Sequence, residues 1–274
     1  MRIFYLTSLL YFSISSISAQ KSEVGLMLGG AVYSGDLSPQ LINIKFIKPG
    51  AGVFYRYNFD PHWAFKGNLF YGSITANDAE SPDLFQKNRN LSFESSIFEF
   101  STQVEFNFFE YEIGDQKRPF SPYIFTGISV FDFNPKTQYN GRWVELQPLG
   151  TEGQNLAKAT KKAYSLVQLS VPLGVGIKWN IAQKLCLGFE IGARKTSTDY
   201  LDDVSGEYAD KKLLQSENGK ISADLSDRSL NKTLEKGRQR GNSSATDWYT
   251  FGGITLSMRV GKTTKVSCNP FTGK

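Results

Sequence analysis

The stretch VQLSVPLGVGIKW, Val167 to Trp179, decides the fold. Every second residue is apolar: Val167, Leu169, Val171, Leu173, Val175, Ile177 and Trp179. Between them stand Gln168, Ser170, Pro172, Gly174, Gly176 and Lys178. A strand points successive side chains to opposite faces. One face here is uniformly apolar and the other is small or polar. That is the pattern of a strand in a closed transmembrane barrel, apolar toward lipid and polar toward the lumen.

Seven further segments alternate in the same way. The first, Glu23 to Ser34, sets Val24, Leu26, Leu28 and Val32 against Gly25, Gly29 and Ala31. Ala51 to Phe59 sets Val53, Tyr55, Tyr57 and Phe59 against Phe54, Arg56 and Asn58. Trp63 to Ile74 sets Trp63, Phe65, Leu69 and Tyr71 against Lys66 and Asn68. The longest, Leu91 to Phe108, places Glu99, Ser101, Gln103, Glu105 and Asn107 opposite Phe98, Phe100, Val104, Phe106 and Phe108. Carboxylates cannot face lipid, so that side must be wet or paired. Pro122 to Phe133, Leu185 to Lys195 and Trp248 to Val260 complete the set.

The connections give the architecture. Those after the second, fourth and sixth segments are short: Asp60 to His62, Phe109 to Phe120, and Asn180 to Lys184. The others are long, the last running from about Thr196 to Asp247. Outer-membrane barrels have short periplasmic turns and long external loops, in even strand numbers from eight upward. The expectation is an all-β chain, an eight-stranded antiparallel transmembrane β-barrel. A barrel of that size is filled by its own side chains. Arg56, Lys66, Glu99, Glu105, Glu190 and Arg194 are the expected lumenal charges, paired across the interior. A soluble sandwich or lipocalin-like barrel does not need an apolar face seven residues deep.

Composition agrees. Mean hydropathy is −0.31 and no stretch resembles a membrane-spanning helix, but barrel strands carry a weak hydropathy signal. Aromatic residues make up 14% of the 274, suiting interfacial girdles. Met1-Arg2 followed by the apolar, serine-rich run to Ile17-Ser18-Ala19 reads as an export signal, with residues 1–19 removed before Gln20. Residues 20–261 form the expected barrel and 262–274 a periplasmic tail. The net charge of +5 is spread out, with Arg259, Lys262 and Lys265 near the C-terminus and no nucleic-acid motif. Cys186 and Cys268 lie in no metal-type cluster, and a lumenal Cys186 argues against a disulfide between them.

Chemistry-bearing groups are few. Barrel hydrolases and acyltransferases generally need a His general base beside Ser or Asp. The single histidine, His62, falls in a short turn between Pro61 and Trp63, and no enzyme is expected. Asp199, Asp202, Asp203 and Glu207 cluster in the last long loop without EF-hand spacing. They read as a loop ordered by Asp-to-backbone bonds and by nearby Arg194 or Lys195. Asp210 to Asn242 is charged and poor in aromatics, expected to be mobile or helical in parts. No cofactor is expected.

Five stretches carry a resemblance: Tyr55 to Phe59, Arg89 to Phe93, Phe106 to Tyr111, Glu145 to Gly153 and Thr198 to Ser205. Together they resemble the PorG-like outer-membrane barrels of Bacteroidetes, over roughly Val24 to Val260. The last two stretches are the most specific, since barrel patterning does not force them. The resemblance implies an accessory component of the type IX secretion system, associated with a periplasmic ring of PorK and PorN and, in gliding species, with motility. The candidate periplasmic docking residues, taken from topology, are Asp60, His62, Glu110, Tyr111, Asp115, Lys117, Arg118 and Lys262. The alternative is a surface-binding or adhesion barrel acting through Glu145 to Gly153 and Asp199 to Ser205.

Overall fold

The computed structural model describes residues 22–157, 161–231 and 236–260. The expected export signal, the tail with Lys262 and Lys265, and Cys268 lie outside them. Nine strands form: β1 (Ser22–Ser34), β2 (Lys48–Asn58), β3 (Trp63–Asn77), β4 (Ser92–Asn107), β5 (Phe120–Tyr139), β6 (Arg142–Glu145), β7 (Val167–Asn180), β8 (Leu185–Thr196) and β9 (Trp248–Val260). All pairings are antiparallel. β1 pairs with both β2 and β9, and β4 pairs with β5, so eight strands close on themselves. Closure removes every edge within the membrane, where an unpaired backbone group would have no water to bond.

The alternation is visible in the burial. On β7 the apolar set Val167 to Trp179 is exposed throughout, Leu173 at 62%, while Ser170, Lys178 and Asn180 are buried. Leu28 at 65% and Ile128 at 65% belong to the same outward belt. Soluble monomers do not display an apolar surface of this extent, and lipid is its natural solvent. Trp63, Phe106 and Phe108 pack edge to tilted at the turn end of the barrel, as an aromatic girdle does. The chain is therefore an outer-membrane β-barrel. No helix among the described residues is long and apolar enough to cross a membrane.

Strand bounds differ from expectation chiefly at three places, the first being β3, which runs three residues past Ile74 to Asn77. β5 runs on past Phe133 to Tyr139 and folds back as β6, joined at Asn140 (φ 51°) and Gly141 (φ 78°). Asn-Gly is the residue pair that a two-residue hairpin with positive φ at both positions selects. β2 begins at Lys48, three residues before Ala51. One face assignment is corrected. Val32 shares the parity of Leu28 but is only 4% exposed, near the external end of β1.

Inside, the upper lumen is apolar. Met27, Phe70, Phe93, Ile97, Phe131, Phe133, Tyr249 and Phe251 form one cluster with loop residues Leu201, Val204 and Leu225. The external loops carry short helices: α1 (Leu84–Arg89) follows β3, and α2 (Lys211–Glu217) and α3 (Lys220–Ser226) follow β8. The Asp210 side chain caps α2 through Lys212 N and Leu213 N. The segment expected to be mobile or helical is thus helical over α2 and α3, with Leu214, Ala223 and Leu225 buried.

Candidate functional site

Three polar assemblies are built on this frame: the lower lumen, the external cap and the periplasmic rim. The lumen holds all six expected charges, each at most 1% exposed. Arg56 bonds Glu23 (Nη1 to Oε2, 3.0 Å) and Glu105 (Nη2 to Oε1, 3.1 Å). Lys66 bonds Glu190 at 2.6 Å, and the Tyr123 hydroxyl donates to the same oxygen at 2.6 Å. Higher up, Arg194 bonds Glu99 at 3.1 Å. Two members were missed in the sequence, Glu23 and Lys178. Glu23 accepts from Arg56, Asn58 and Ser257, and Lys178 lies 2.6 Å from Glu105. Both have the inward parity of their strands, which is the sequence signal for their place: Glu23 near the start of β1 and Lys178 near the end of β7. Four carboxylates thus meet four cations, so the buried charge sums to zero. Desolvation of each ion is offset by a partner and further hydrogen bonds.

The rim closes this network from below. The turn between β4 and β5 folds across the opening: Tyr111 N donates to Pro61 O at 2.9 Å, and Asn180 Nδ2 donates to Glu112 O at 2.8 Å. Tyr111 and Ile113 insert upward against Cys186, each about 1% exposed, and Lys178 stands 5.0 Å over the Tyr111 ring. Tyr111 is therefore corrected from docking residue to plug. Its ring is more stable in the apolar foot of the lumen than in water, and it presents no surface to a partner. Cys186 is a buried thiol in the same cluster.

The other rim residues stay outside. Asp60 Oδ1 accepts from His62 N (2.7 Å) and Trp63 N (2.9 Å), fixing the first turn. His62 Nδ1 lies 2.9 Å from Asn107 O, and its ring stacks near Phe106. Asp115 accepts from Lys117 N at 2.8 Å and from Arg118, which also pairs with Glu110. Lys262 falls beyond the described residues.

The cap brings together the two most specific sequence stretches. Thr151 Oγ1 donates to Asp203 Oδ2 at 2.5 Å, and Tyr164 Oη donates to Asp203 Oδ1 at 2.8 Å. Glu152 Oε1 accepts from Ser205 N (2.9 Å), Gly206 N (3.1 Å) and Arg240 Nη1 (3.1 Å). Tyr164 and Tyr200 stack at 4.6 Å. Thr151, Glu152, Asp202, Asp203 and Ser205 are buried, so these residues hold the loops to each other and are not displayed to a ligand. Arg89 grips Asp78 with two bonds, 2.7 and 2.8 Å, and donates to Arg240 O and Asp36 O.

The acidic cluster separates. Asp202 Oδ2 and Asp247 Oδ1 share the Tyr33 hydroxyl at 2.6 and 3.0 Å, Asp202 Oδ1 accepts from Val204 N, and Glu207 is exposed. Asp-to-backbone bonds are present as expected. The expected cations are not: Arg194 is engaged by Glu99, Lys195 stands over Trp248, and Arg240 and Arg89 serve the cap instead. Among the described residues no group of three or more His, Cys, Asp or Glu is placed to hold a metal. Burial, and repulsion from Asp36 and Glu152, push the Asp199 carboxyl up to about 7. Burial raises Asp203 to about 6 against the pull of Arg240. Burial also raises Asp202, Asp247 and Asp36. Beside this group a cleft of about 510 Å³ opens outward between Asp36, Phe85, Arg89, Asp199 and Trp248.

No curated protein matches the chain in sequence. Among solved structures, Neisserial surface protein A is 8% identical with a TM-score of 0.42, over 87% of this chain and 96% of that one. The attachment invasion locus protein Ail of Yersinia pestis is 9% identical with a TM-score of 0.40, over 87% and 97%. OprG of Pseudomonas aeruginosa is 8% identical with a TM-score of 0.37, over 87% and 96%. At these scores the barrel assignment rests on the chain's own strand closure and lipid-facing belt. Residues 2–225 match the model of a domain of unknown function, DUF6089, and the chain belongs to that family.

Proposed function

We propose that this chain is a non-conducting, non-enzymatic outer-membrane scaffold that serves type IX secretion and docks the periplasmic ring proteins PorK and PorN at its rim. The observation that carries the reading is the filled lumen. Four ion-paired carboxylates, the Tyr111–Ile113 plug and an aromatic upper core leave the two ends of the barrel as its working surfaces. At the periplasmic end, Glu110 and Arg118 present half-exposed charge. The assignment to type IX secretion rests on the resemblance to PorG-like barrels, as does the link to gliding motility in Bacteroidetes. The test is a mild-detergent pulldown of the tagged chain from outer membranes, with mass spectrometry. Recovery of a lipoprotein and a soluble ring partner, lost on reversing Glu110, Asp115 and Arg118, is the expected result. Recovery of the barrel alone removes the docking role. In planar bilayers the chain should pass no steady current.

A second reading, binding of a surface ligand or adhesion through the external face, draws on the outward cleft beside Asp199. Substituting Asp36, Phe85 and Trp248 should abolish function under this reading and spare ring association under the first.

A further inference from the structure

The first external loop, residues 35–47, carries four apolar side chains turned away from the protein. Ile44 is 79% exposed, Leu41 56%, Ile47 48% and Ile42 46%. Such a group in a loop above a membrane belt is not accounted for by a scaffold role. The loop's orientation is fixed from inside: Phe46 is buried and belongs to the upper core cluster. Ile44 and Phe46 bound a single 3-10 turn capped by the Asn43 side chain on Lys45 N. In that geometry side chains three apart eclipse each other. Ile44 and Ile47 therefore share the outer edge while Phe46 points in.

Position then decides what that edge meets. Ile47 Cγ2 lies directly over Gly30, so closely that a Cβ at Gly30 would collide with it. Gly30 has the outward parity of Leu26 and Leu28, two and four residues below it on β1. The Ile47 edge of the loop thus lies against the outer wall of the barrel, while Leu37 and Phe46 hold the rest of the loop to the upper core. Its apolar edge stands on the same outward face as the lipid-facing belt, and Lys45 is exposed beside it.

We propose that this loop is a membrane-seating element: Ile44 and Ile47, with Leu41 and Ile42, enter the outer leaflet, and the Lys45 ammonium meets a lipid phosphate. The occupant is the lipid surface because the patch is continuous with a face already bathed in lipid, and because an apolar edge with a neighbouring cation suits an interface of acyl chains and anionic headgroups. A partner protein or a second copy would cover the same residues only by displacing that lipid.

The test is photo-crosslinking in intact outer membranes, with p-benzoylphenylalanine replacing Ile44 in the full-length chain. The same probe at Leu28 reports belt lipid, and at Leu230, exposed on the cap, reports the aqueous side. Lipid adducts at position 44 are expected within about two-fold of those at 28 and about ten-fold above those at 230. Adding Lys45→Glu should cut the adduct at 44 by about three-fold and leave that at 28 unchanged. A protein adduct at 44, a dimer of this chain, or a yield at 44 equal to that at 230 would overturn the proposal. All three positions are exposed, so each variant keeps the barrel as its own folding control.

Discussion

The lower lumen and the external cap are both buried and polar, yet they are built on different principles. In the lumen, charged side chains from facing strands neutralise one another: Glu23, Glu105, Glu190 and Glu99 against Arg56, Lys66, Lys178 and Arg194. The strand backbones are already paired in the ladder and contribute little beyond Gly192 O, which accepts from Arg194 at 2.7 Å. In the cap the backbone is not paired by a ladder, so carboxylates do that work. Glu152 serves Ser205 and Gly206, Asp247 serves Leu201, Asp202 serves Val204 and Asp78 serves Leu91. Among the described residues only Arg89 and Arg240 supply buried positive charge there. The cap therefore carries more acid than base, and burial pushes its Asp78, Asp199, Asp202, Asp203 and Asp247 carboxyls upward.

The largest effect should come from the lumen. Glu105→Ala leaves Arg56, Lys66 and Lys178 sharing too little negative charge in a buried space, at a cost of about 3–5 kcal/mol. The folded, gel-compact form should be lost at lower urea or temperature; a wild-type midpoint would show that water or lipid headgroups compensate. Next is Arg240→Ala, which strands Glu152 and Asp203 at a cost of about 3 kcal/mol. Cap amides should exchange faster while the barrel's heat-modifiable migration stays unchanged. Simultaneous loss of both would show that cap and barrel fold as one unit.

The pH response should separate the two regions further. Asp199, at about 7, and Asp203, at about 6, hold protons in the folded cap that the unfolded chain releases near 3.8. The folded state binds more protons across that window, so cap stability is greatest below pH 4 and falls as pH rises to about 7. Cap amides, corrected for intrinsic exchange, should be more protected at pH 5 than at pH 8. Equal protection would contradict the raised carboxyls. The smallest effect on stability belongs to the rim. Arg118→Glu alters exposed pairs and should shift unfolding by no more than about 0.5 kcal/mol, while reducing any ring association.

Some of this was legible residue by residue. The alternation in β7 and β4 assigns Leu173 and Phe100 to lipid and Glu99 and Glu105 to the lumen, because a period of two is local to the strand. Asn140-Gly141 carries a hairpin signal in the sequence, beyond the membrane-length part of β5. Tyr111 and Val32 could not be placed from parity. One lies in a turn with no period, and the other is buried at the external end of β1 although its parity is outward. The loop stretches Glu145 to Gly153 and Thr198 to Ser205 stood out in the sequence, but they proved to be each other's partners.

What the sequence determined by itself is the set of properties with short range: strand number, inward and outward faces, short turns on one side and long loops on the other. What only the tertiary structure decided is partnership. Lys66 meets Glu190 across 124 residues, Arg240 meets Glu152 across 88, and Ile47 comes to rest on Gly30. These contacts depend on closure of β1 against β9, which sets the register of every strand around the ring and fixes which side chains share one buried, low-dielectric space.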